Sequence, residues 1–169
     1  MNENMRAVVF VAAMIFSGSM QAGEFASGTR VSFDEHSGQV VMTAATINAS
    51  DRLKASAELA EYRAEKNGDP RVVDLKGNVR VTADGQLVLA DAATLYPQIS
   101  ALTATAVSVA NLVGAKSIVE YTCSNGKLEA DGVPVEGNSA CHGKMLITCG
   151  GKGGNEVQVI FLVEDCPLQ

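Results

Sequence analysis

Four cysteines are the side chains of this sequence with the clearest capacity for covalent chemistry. Cys123, Cys141, Cys149 and Cys166 all fall in the last third of the 169 residues. In an exported chain an even number of cysteines indicates two disulfides, and three pairings are possible. Together with His142 the same thiols could instead hold zinc, but no two cysteines have the C-x2-4-C spacing of a structural zinc site. The pattern therefore favours disulfides and predicts no metal.

Residues that could catalyse a reaction are few and poorly placed. The two histidines, His36 and His142, lie beside a Ser-Gly turn and a cysteine, and the sequence has no G-x-S-x-G nucleophile elbow. The carboxylate pairs at 34–35 and 164–165 are adjacent, so on a strand they point to opposite faces and would serve solubility. The segment GGKGG at 150–154 lacks the order of a phosphate-binding loop and is typical of a hairpin loop. We expect no catalytic residues, no cofactor and no enzymatic activity.

Length and composition indicate one compact domain and disfavour a nucleic-acid-binding protein. A chain that is 47% hydrophobic and 19% charged can bury a core, which excludes wholesale disorder. The formal net charge of -6 argues against a nucleic-acid partner, because that binding depends on Lys and Arg neutralising phosphates. The length is that of a single ordinary domain.

The first residues have the order of an export signal. Residues 1–6 form a short polar start, residues 7–16 (AVVFVAAMIF) are an unbroken apolar run, and residues 17–22 return to small and polar side chains. The run is shorter than the roughly 20 apolar residues that span a membrane. We predict a cleavable signal segment over residues 1–22, an uncleaved anchor being the alternative. Either way, the chain from Gly23 onward is expected outside the cytoplasm.

From Arg30 on, apolar residues alternate with polar ones and turn signals recur at short intervals, which is typical of an antiparallel all-β domain. Residues 52–66 (RLKASAELAEYRAEK) are rich in helix formers and favour a helix by propensity alone. The same stretch alternates as a strand, with Leu53, Ala55, Ala57 and Leu59 on one face. A short recurring pattern, an apolar residue followed two places later by Ala and then Ser, Asp or Lys, includes this stretch and favours the strand.

The hairpin around Asp84-Gly85 can be drawn in two registers. A two-residue turn sets Val81 opposite Val88, whereas a three-residue loop over residues 83–85 sets Val81 opposite Leu87 and Val79 opposite Leu89. The second register collects four aliphatic side chains on one face, with Gly85 in the left-handed conformation. We therefore predict the three-residue loop.

Two later hairpins concern the cysteines. A type I′ turn at Asn125-Gly126 places Cys123 opposite Leu128 and points it inward. In the last hairpin, residues 144–149 and 156–163 are joined by a glycine loop, and antiparallel geometry brings Cys141 near Cys166. That pairing would leave Cys123 for Cys149. The run VIFLV at 159–163 is apolar on both faces, which indicates a covered strand or a docking edge.

Residues 75–96 carry a resemblance to a known family. The segment GNVRVT at 77–82 is followed, after a turn, by Leu89, Ala90, Asp91, Ala92 and Tyr96. This arrangement resembles the OstA-like family of periplasmic modules that carry lipopolysaccharide toward the outer membrane, and the match covers about residues 53–98. The resemblance implies a twisted antiparallel β-jellyroll or open sandwich over residues 23–169. Residues 99–169 depart from the family pattern, since they hold no second G-N-V segment and carry the cysteines.

The resemblance also implies a function, which is binding without a reaction. An amphipathic lipid needs an apolar slot for its acyl chains and a cationic rim for its phosphates. The candidate slot residues are Val79, Val81, Leu87 and Leu89, and the candidate rim residues are Arg71, Lys76 and Arg80; alternatively, the aliphatics are core and the cations a solvated face. The expected partners are lipopolysaccharide or a related lipid, and other lipopolysaccharide-transport proteins through sheet-edge pairing. The alternative function is a disulfide-stabilised exported structural or adhesive β domain without a lipid ligand.

Overall fold

The computed structural model describes residues 25–66, 68–112 and 117–166. Within these ranges the chain is built from strands and short 3-10 turns. The strands form one antiparallel, open sheet of 14 strands. The prediction of an antiparallel, open all-β fold is confirmed. The predicted signal segment, residues 1–22, lies outside the described residues. In the described part of the chain, no helix has the length and hydrophobicity needed to cross a membrane.

The strands range from two to eleven residues. They are β1 (Ala26–Ser27), β2 (Arg30–Phe33), β3 (Gln39–Asn48), β4 (Leu53–Arg63), β5 (Val73–Ala83), β6 (Gln86–Tyr96), β7 (Ala101–Ala104), β8 (Ala106–Asn111), β9 (Ile118–Ser124), β10 (Lys127–Ala130), β11 (Val133–Pro134), β12 (Ser139–His142), β13 (Met145–Gly150) and β14 (Glu156–Ile160). The 3-10 turns are Pro97–Ile99, Glu136–Asn138 and Lys152–Gly154.

Four long strands, β3 to β6, form the centre of the sheet as a meander. On one side, β1 and β2 pair with different parts of β3. On the other side the sheet divides, because β8 pairs with the first half of β6 and β7 with its second half. One branch continues through β9, β10 and β11, and the other through β14, β13 and β12.

The stretch with the composition of a helix is a strand, as its alternation predicted. In β4, Leu53, Ala55 and Ala57 are buried, because each faces the interior between two hydrogen-bonded neighbours. The prediction that Leu59 shares their face is wrong, since Ala60 and Tyr62 are the buried residues beyond that point. Tertiary pairing on both sides outweighs the helix propensity of this stretch.

The face of β4 changes at residue 58 because a line of backbone irregularities crosses the central strands. Ala44 of β3 has φ of 48°, and β5 carries a bulge between Lys76 and Val79 where Gly77 and Asn78 have φ of 82° and 46°. The bulge adds one residue to β5 relative to both neighbours. Bulges bend a strand and increase its twist, so the central strands change direction together at this line.

The hairpin between β5 and β6 has a two-residue turn, and the predicted three-residue loop is wrong. Val81 is opposite Val88, and Ala83 is opposite Gln86. Asp84 and Gly85 have φ of 45° and 81°, the backbone of the primed turns that match the twist of a hairpin. The three-residue loop was predicted because it places four aliphatic side chains on one face. That criterion fails here because Leu87 and Val88 are both buried although they point to opposite faces.

The two later hairpins pair as predicted, but the strand predicted over residues 156–163 ends at Ile160. Cys123 is opposite Leu128 across the turn at Asn125-Gly126. β14 lies between β7 and β13, so its apolar residues belong to a covered strand rather than a docking edge.

Both predicted disulfides are present in the predicted pairing. Cys123–Cys149 has a Cα–Cα distance of 5.7 Å and joins β9 to β13, which lie on different branches of the sheet. Cys141–Cys166 has the same Cα–Cα distance and fastens the C-terminal segment, residues 161–166, to β12. None of the four thiols is left free to bind zinc. Disulfides of this kind are typical of proteins in an oxidising, exported environment.

Candidate functional site

The four aliphatic residues predicted to form one slot lie on two faces of the sheet. Val79 and Val81 are buried at 1% and 0% exposure and belong to the hydrophobic core. Leu87 and Leu89 are opposite Thr82 and Arg80, so they lie on the other face of the β5–β6 hairpin. Only the valines therefore face the interior that the central strands share with the branches.

Two of the three predicted rim cations are on the outward face of the same hairpin. Lys76 and Arg80 are exposed on β5, and Arg71 is exposed two residues before the strand begins. A cleft of about 370 Å³ brings Arg80 together with Leu89, but Asp91 and Glu120 also line it. Two carboxylates against one guanidinium make this cleft an unfavourable place for a phosphate.

A second surface cleft, of about 490 Å³, follows the line of backbone irregularities. It is lined by residues of β3, β4 and β5 that include Ala44, Ser56 and Glu58. The Nδ2 atom of Asn78 donates to Oε1 of Glu58 at 2.6 Å, which fixes the bulge of β5 against β4. The cleft therefore marks the bend of the sheet.

The interior of the sheet is an apolar layer that follows the whole length of the central strands. An 11-residue strand such as β4 spans roughly 35 Å. The side chains that line it are mostly small or medium aliphatics from β3 to β6, with additions from the two branches. They form one buried cluster that includes Ile47, Leu53, Ala57, Ala60, Val73, Leu75, Val81, Val88, Leu95, Val109, Leu128, Met145, Ile147 and Val159.

Four charged residues meet beside one end of this interior, and we name them the charge cluster: Arg52, Asp84, Lys144 and Glu164. Arg52 forms an ion pair with Asp84, to which its Nε donates at 3.1 Å, and lies 3.6 Å from Glu164. The Nζ atom of Lys144 lies 3.1 Å from Glu164 and 4.0 Å from Asp84. Each cation is therefore shared between the same two carboxylates.

The charge cluster joins elements that are distant in sequence. Arg52 lies between β3 and β4, Asp84 between β5 and β6, Lys144 between β12 and β13, and Glu164 in the C-terminal segment. Lys144 is also the residue whose carbonyl accepts a hydrogen bond from the backbone N–H of Val163 at 2.8 Å. All four side chains are partly exposed, so salt and water weaken their pairing.

The electrostatics of the charge cluster favour its ionised form. The hydrogen bond from Arg52 lowers the pKa of Asp84, and the hydrogen bond from Lys144 lowers the pKa of Glu164. The hydrogen bond to Asp84 raises the pKa of Arg52. Burial lowers the pKa of nearby His142, which is at the end of β12.

Beneath the charge cluster is a buried amide that lacks one hydrogen bond. Gln86 is 9% exposed, and its Oε1 atom has no partner among the described residues. The turn after β12 covers it closely, since a Cβ on Gly143 would lie 2.7 Å from Nε2 of Gln86. A buried acceptor left without a donor costs about 1–3 kcal/mol.

Sequence reasoning missed the charge cluster because its members were read separately. Arg52 belongs to the stretch that favours a helix by propensity. Glu164 belongs to an adjacent carboxylate pair that is expected to serve solubility. The available signal was positional: charged residues stand in or beside three turns, and antiparallel hairpins bring turns to common ends of a sheet. His36 and His142 are not members of the charge cluster. The absence of enzymatic activity stays a prediction.

No protein-family model matches the chain, and no curated protein matches its sequence.

Proposed function

We propose that the chain is an exported, non-enzymatic module that binds an amphipathic lipid, lipopolysaccharide or a relative of it, in the periplasm. The observation that carries this proposal is the apolar interior, which extends over the full length of four adjacent strands. Its roughly 35 Å would accommodate extended acyl chains. The resemblance of residues 53–98 to the OstA-like family supports the same function.

Acyl chains would bind by separating the central strands from the branches, whose side chains pack against each other in the free protein. The two ends of β13 are held differently: near one end Cys149 is bonded covalently to Cys123, and at the other Lys144 takes part in exposed ion pairs. At the Lys144 end, the Cys141–Cys166 disulfide joins β12 to the C-terminal segment, and exposed ion pairs join these two to the turns at Arg52 and Asp84. Closure of that end against the central strands by exposed ion pairs suits an interior that opens reversibly. The small side chains of Ala57 and Ala60 leave little bulk to displace on β4.

Hydrogen exchange with and without saturating lipid A tests the proposal. We expect amides of β5 and β6 around Val79 and Leu89 to exchange more slowly with lipid A, because a bound lipid stabilises the strands that line the interior. Unchanged exchange at saturating lipid A would contradict the proposal.

The second candidate is an exported structural β domain without a lipid ligand. The packing of the interior favours it, since the buried side chains already form one continuous cluster. The same exchange experiment separates the two candidates, because a structural domain gives no response to lipid A.

A further inference from the structure

We propose that the charge cluster is the site that binds the phosphate of the lipid, with Arg52 and Lys144 as its ligands. This inference rests on the proposed function and assigns its polar contacts to residues other than the rim predicted from the sequence. In the free protein, Asp84 and Glu164 occupy the two cations. A lipid phosphate takes the place of the Glu164 carboxylate, while the Cys141–Cys166 disulfide keeps the C-terminal segment fastened to β12.

The geometry supports an exchange of carboxylate for phosphate. Lys144 and Arg52 both lie within 4.0 Å of Glu164, so an anion in that position contacts both cations at once. Arg and Lys bind phosphate and carboxylate oxygens through the same charge-assisted hydrogen bonds. Glu164 is the most exposed member of the cluster, at 61% of its side chain, and is therefore the carboxylate that a ligand displaces most easily.

The position of the charge cluster fits a ligand with an acyl chain. Leu53 and Met145 directly follow Arg52 and Lys144 in the chain, and both are fully buried in the core. A phosphate held by the two cations therefore places the attached chain at the border of the apolar interior. Lys76 and Arg80 also have fully buried chain neighbours, Leu75 and Val79, but they lie within β5, away from its ends, and point to the outward face.

Gln86 is an independent observation at the same place. It is nine-tenths buried, its Oε1 atom lacks a donor, and the turn between Lys144 and β12 covers it. When that turn moves with Lys144, Oε1 becomes accessible to a hydroxyl or amide donor of a lipid head group. The unpaired acceptor thus gains its missing hydrogen bond in the bound state.

Binding of fluorescent lipid A to charge-matched variants tests the site. We expect R52Q/K144Q to bind lipid A at least about tenfold more weakly than the wild type, because two charge-assisted contacts are lost. The control K76Q/R80Q has the same change in charge on the outward face and should bind within about twofold of the wild type. Equal weakening in both variants, or none in R52Q/K144Q, would overturn the assignment.

A second variant gives the opposite sign and so does not depend on loss of folding. E164Q removes the competing carboxylate, and we expect it to bind lipid A more tightly than the wild type. Weaker or unchanged binding by E164Q contradicts the exchange of Glu164 for phosphate. If the wild type itself binds no lipid A, the proposed function fails, whereas wild-type binding with an unaffected R52Q/K144Q variant removes only this inference.

Two further ligands distinguish a lipid head group from free phosphate. A dephosphorylated lipid A should bind the wild type more weakly than lipid A, and R52Q/K144Q should not discriminate between them. Inorganic phosphate should compete only at concentrations far above those of lipid A, because it lacks the acyl chains. Equal affinity for inorganic phosphate and lipid A would show a free-phosphate site and overturn the assignment to lipid.

Discussion

At the scale of single residues, Gly77 and Gly85 present the same backbone in different surroundings. Their φ angles are 82° and 81°, but a Cβ on Gly77 would lie 2.9 Å from Cβ of Glu58, whereas a Cβ on Gly85 meets nothing within 4 Å. We expect G85A to lower the free energy of unfolding by about 1 kcal/mol, the cost of a left-handed alanine. G77A should cost about 1–3 kcal/mol more, because overpacking adds to the strain. Urea denaturation of both variants measures the difference, and equal losses would show that Glu58 moves aside without cost.

Gln86 should affect stability and lipid binding in opposite directions. We expect Q86M to raise the free energy of unfolding by about 1 kcal/mol, because an apolar side chain of similar length removes the unpaired buried acceptor. The same substitution should weaken binding of lipid A, since the head group loses an acceptor. The exposed Gln39 provides the control Q39M, which should change neither quantity. A destabilised Q86M would mean that the amide is satisfied in solution.

Stability should fall in two steps as the pH is lowered. The pKa of His142 is below its ordinary 6.5, so the unfolded chain binds its proton first and stability is lost as the pH falls below 6.5 toward the folded pKa. The pKa values of Asp84 and Glu164 are below 3.8 and 4.5, so their contribution is complete above those values and is lost as the pH falls through the folded pKa values. Denaturation midpoints measured across this range should lose the first step in H142Q and the second in D84N/E164Q. Unchanged pH profiles in these variants would contradict the attribution of the first step to His142 and of the second step to Asp84 and Glu164.

At the residue scale, the sequence predicted what depends on local chemistry. The positive φ of Asn125 and Gly126 and the inward direction of Cys123 follow from turn preference and alternation alone. The meeting of Arg52, Asp84, Lys144 and Glu164 depends on how distant turns are brought together, which no local pattern encodes. The further inference places the phosphate contacts on Arg52 and Lys144, whereas the sequence predicts a rim of Arg71, Lys76 and Arg80.

At the scale of elements, the two disulfides close loops of nearly equal length and should contribute differently. Their sequence separations are 26 and 25 residues, for which loop-closure entropy gives about 3.5 kcal/mol each. We expect C123A/C149A to lose about that amount in urea denaturation, because it separates two branches of the sheet. C141A/C166A should lose less, since the segment that it frees, residues 161–166, belongs to no strand. The reverse order would show that the C-terminal segment stabilises the fold more than the link between the branches.

The elements also show where alternation stops being a sufficient guide. Period-two patterns predict that β4, β5 and β6 exist. They do not predict which residues are opposite each other on neighbouring strands, because the bulge at Gly77 and Asn78 shifts the register by one residue. The predicted three-residue turn between β5 and β6 is wrong because Leu87 is buried although it lies on the outward face. A pattern that assumes one buried face fails wherever a strand is covered on both sides.

At the scale of the whole molecule, the proposed function requires that the apolar interior of the open antiparallel sheet can open and close. Its branches are linked covalently between β9 and β13, while exposed ion pairs link Lys144 and Glu164 to the turns at Arg52 and Asp84. Such pairs are weakened by salt. The proposed lipid site consists of side chains that are buried in the free protein and not of the outward clefts.

Site-specific photo-crosslinking tests this claim most directly. A photoreactive residue at Val81 reports on the interior, and one at the neighbouring Thr82 reports on the outward face of the same strand. With lipid A bound in the apolar interior, we expect a lipid adduct from position 81 and little from position 82. An adduct from position 82 alone, or none from either position while folding is intact, would contradict it.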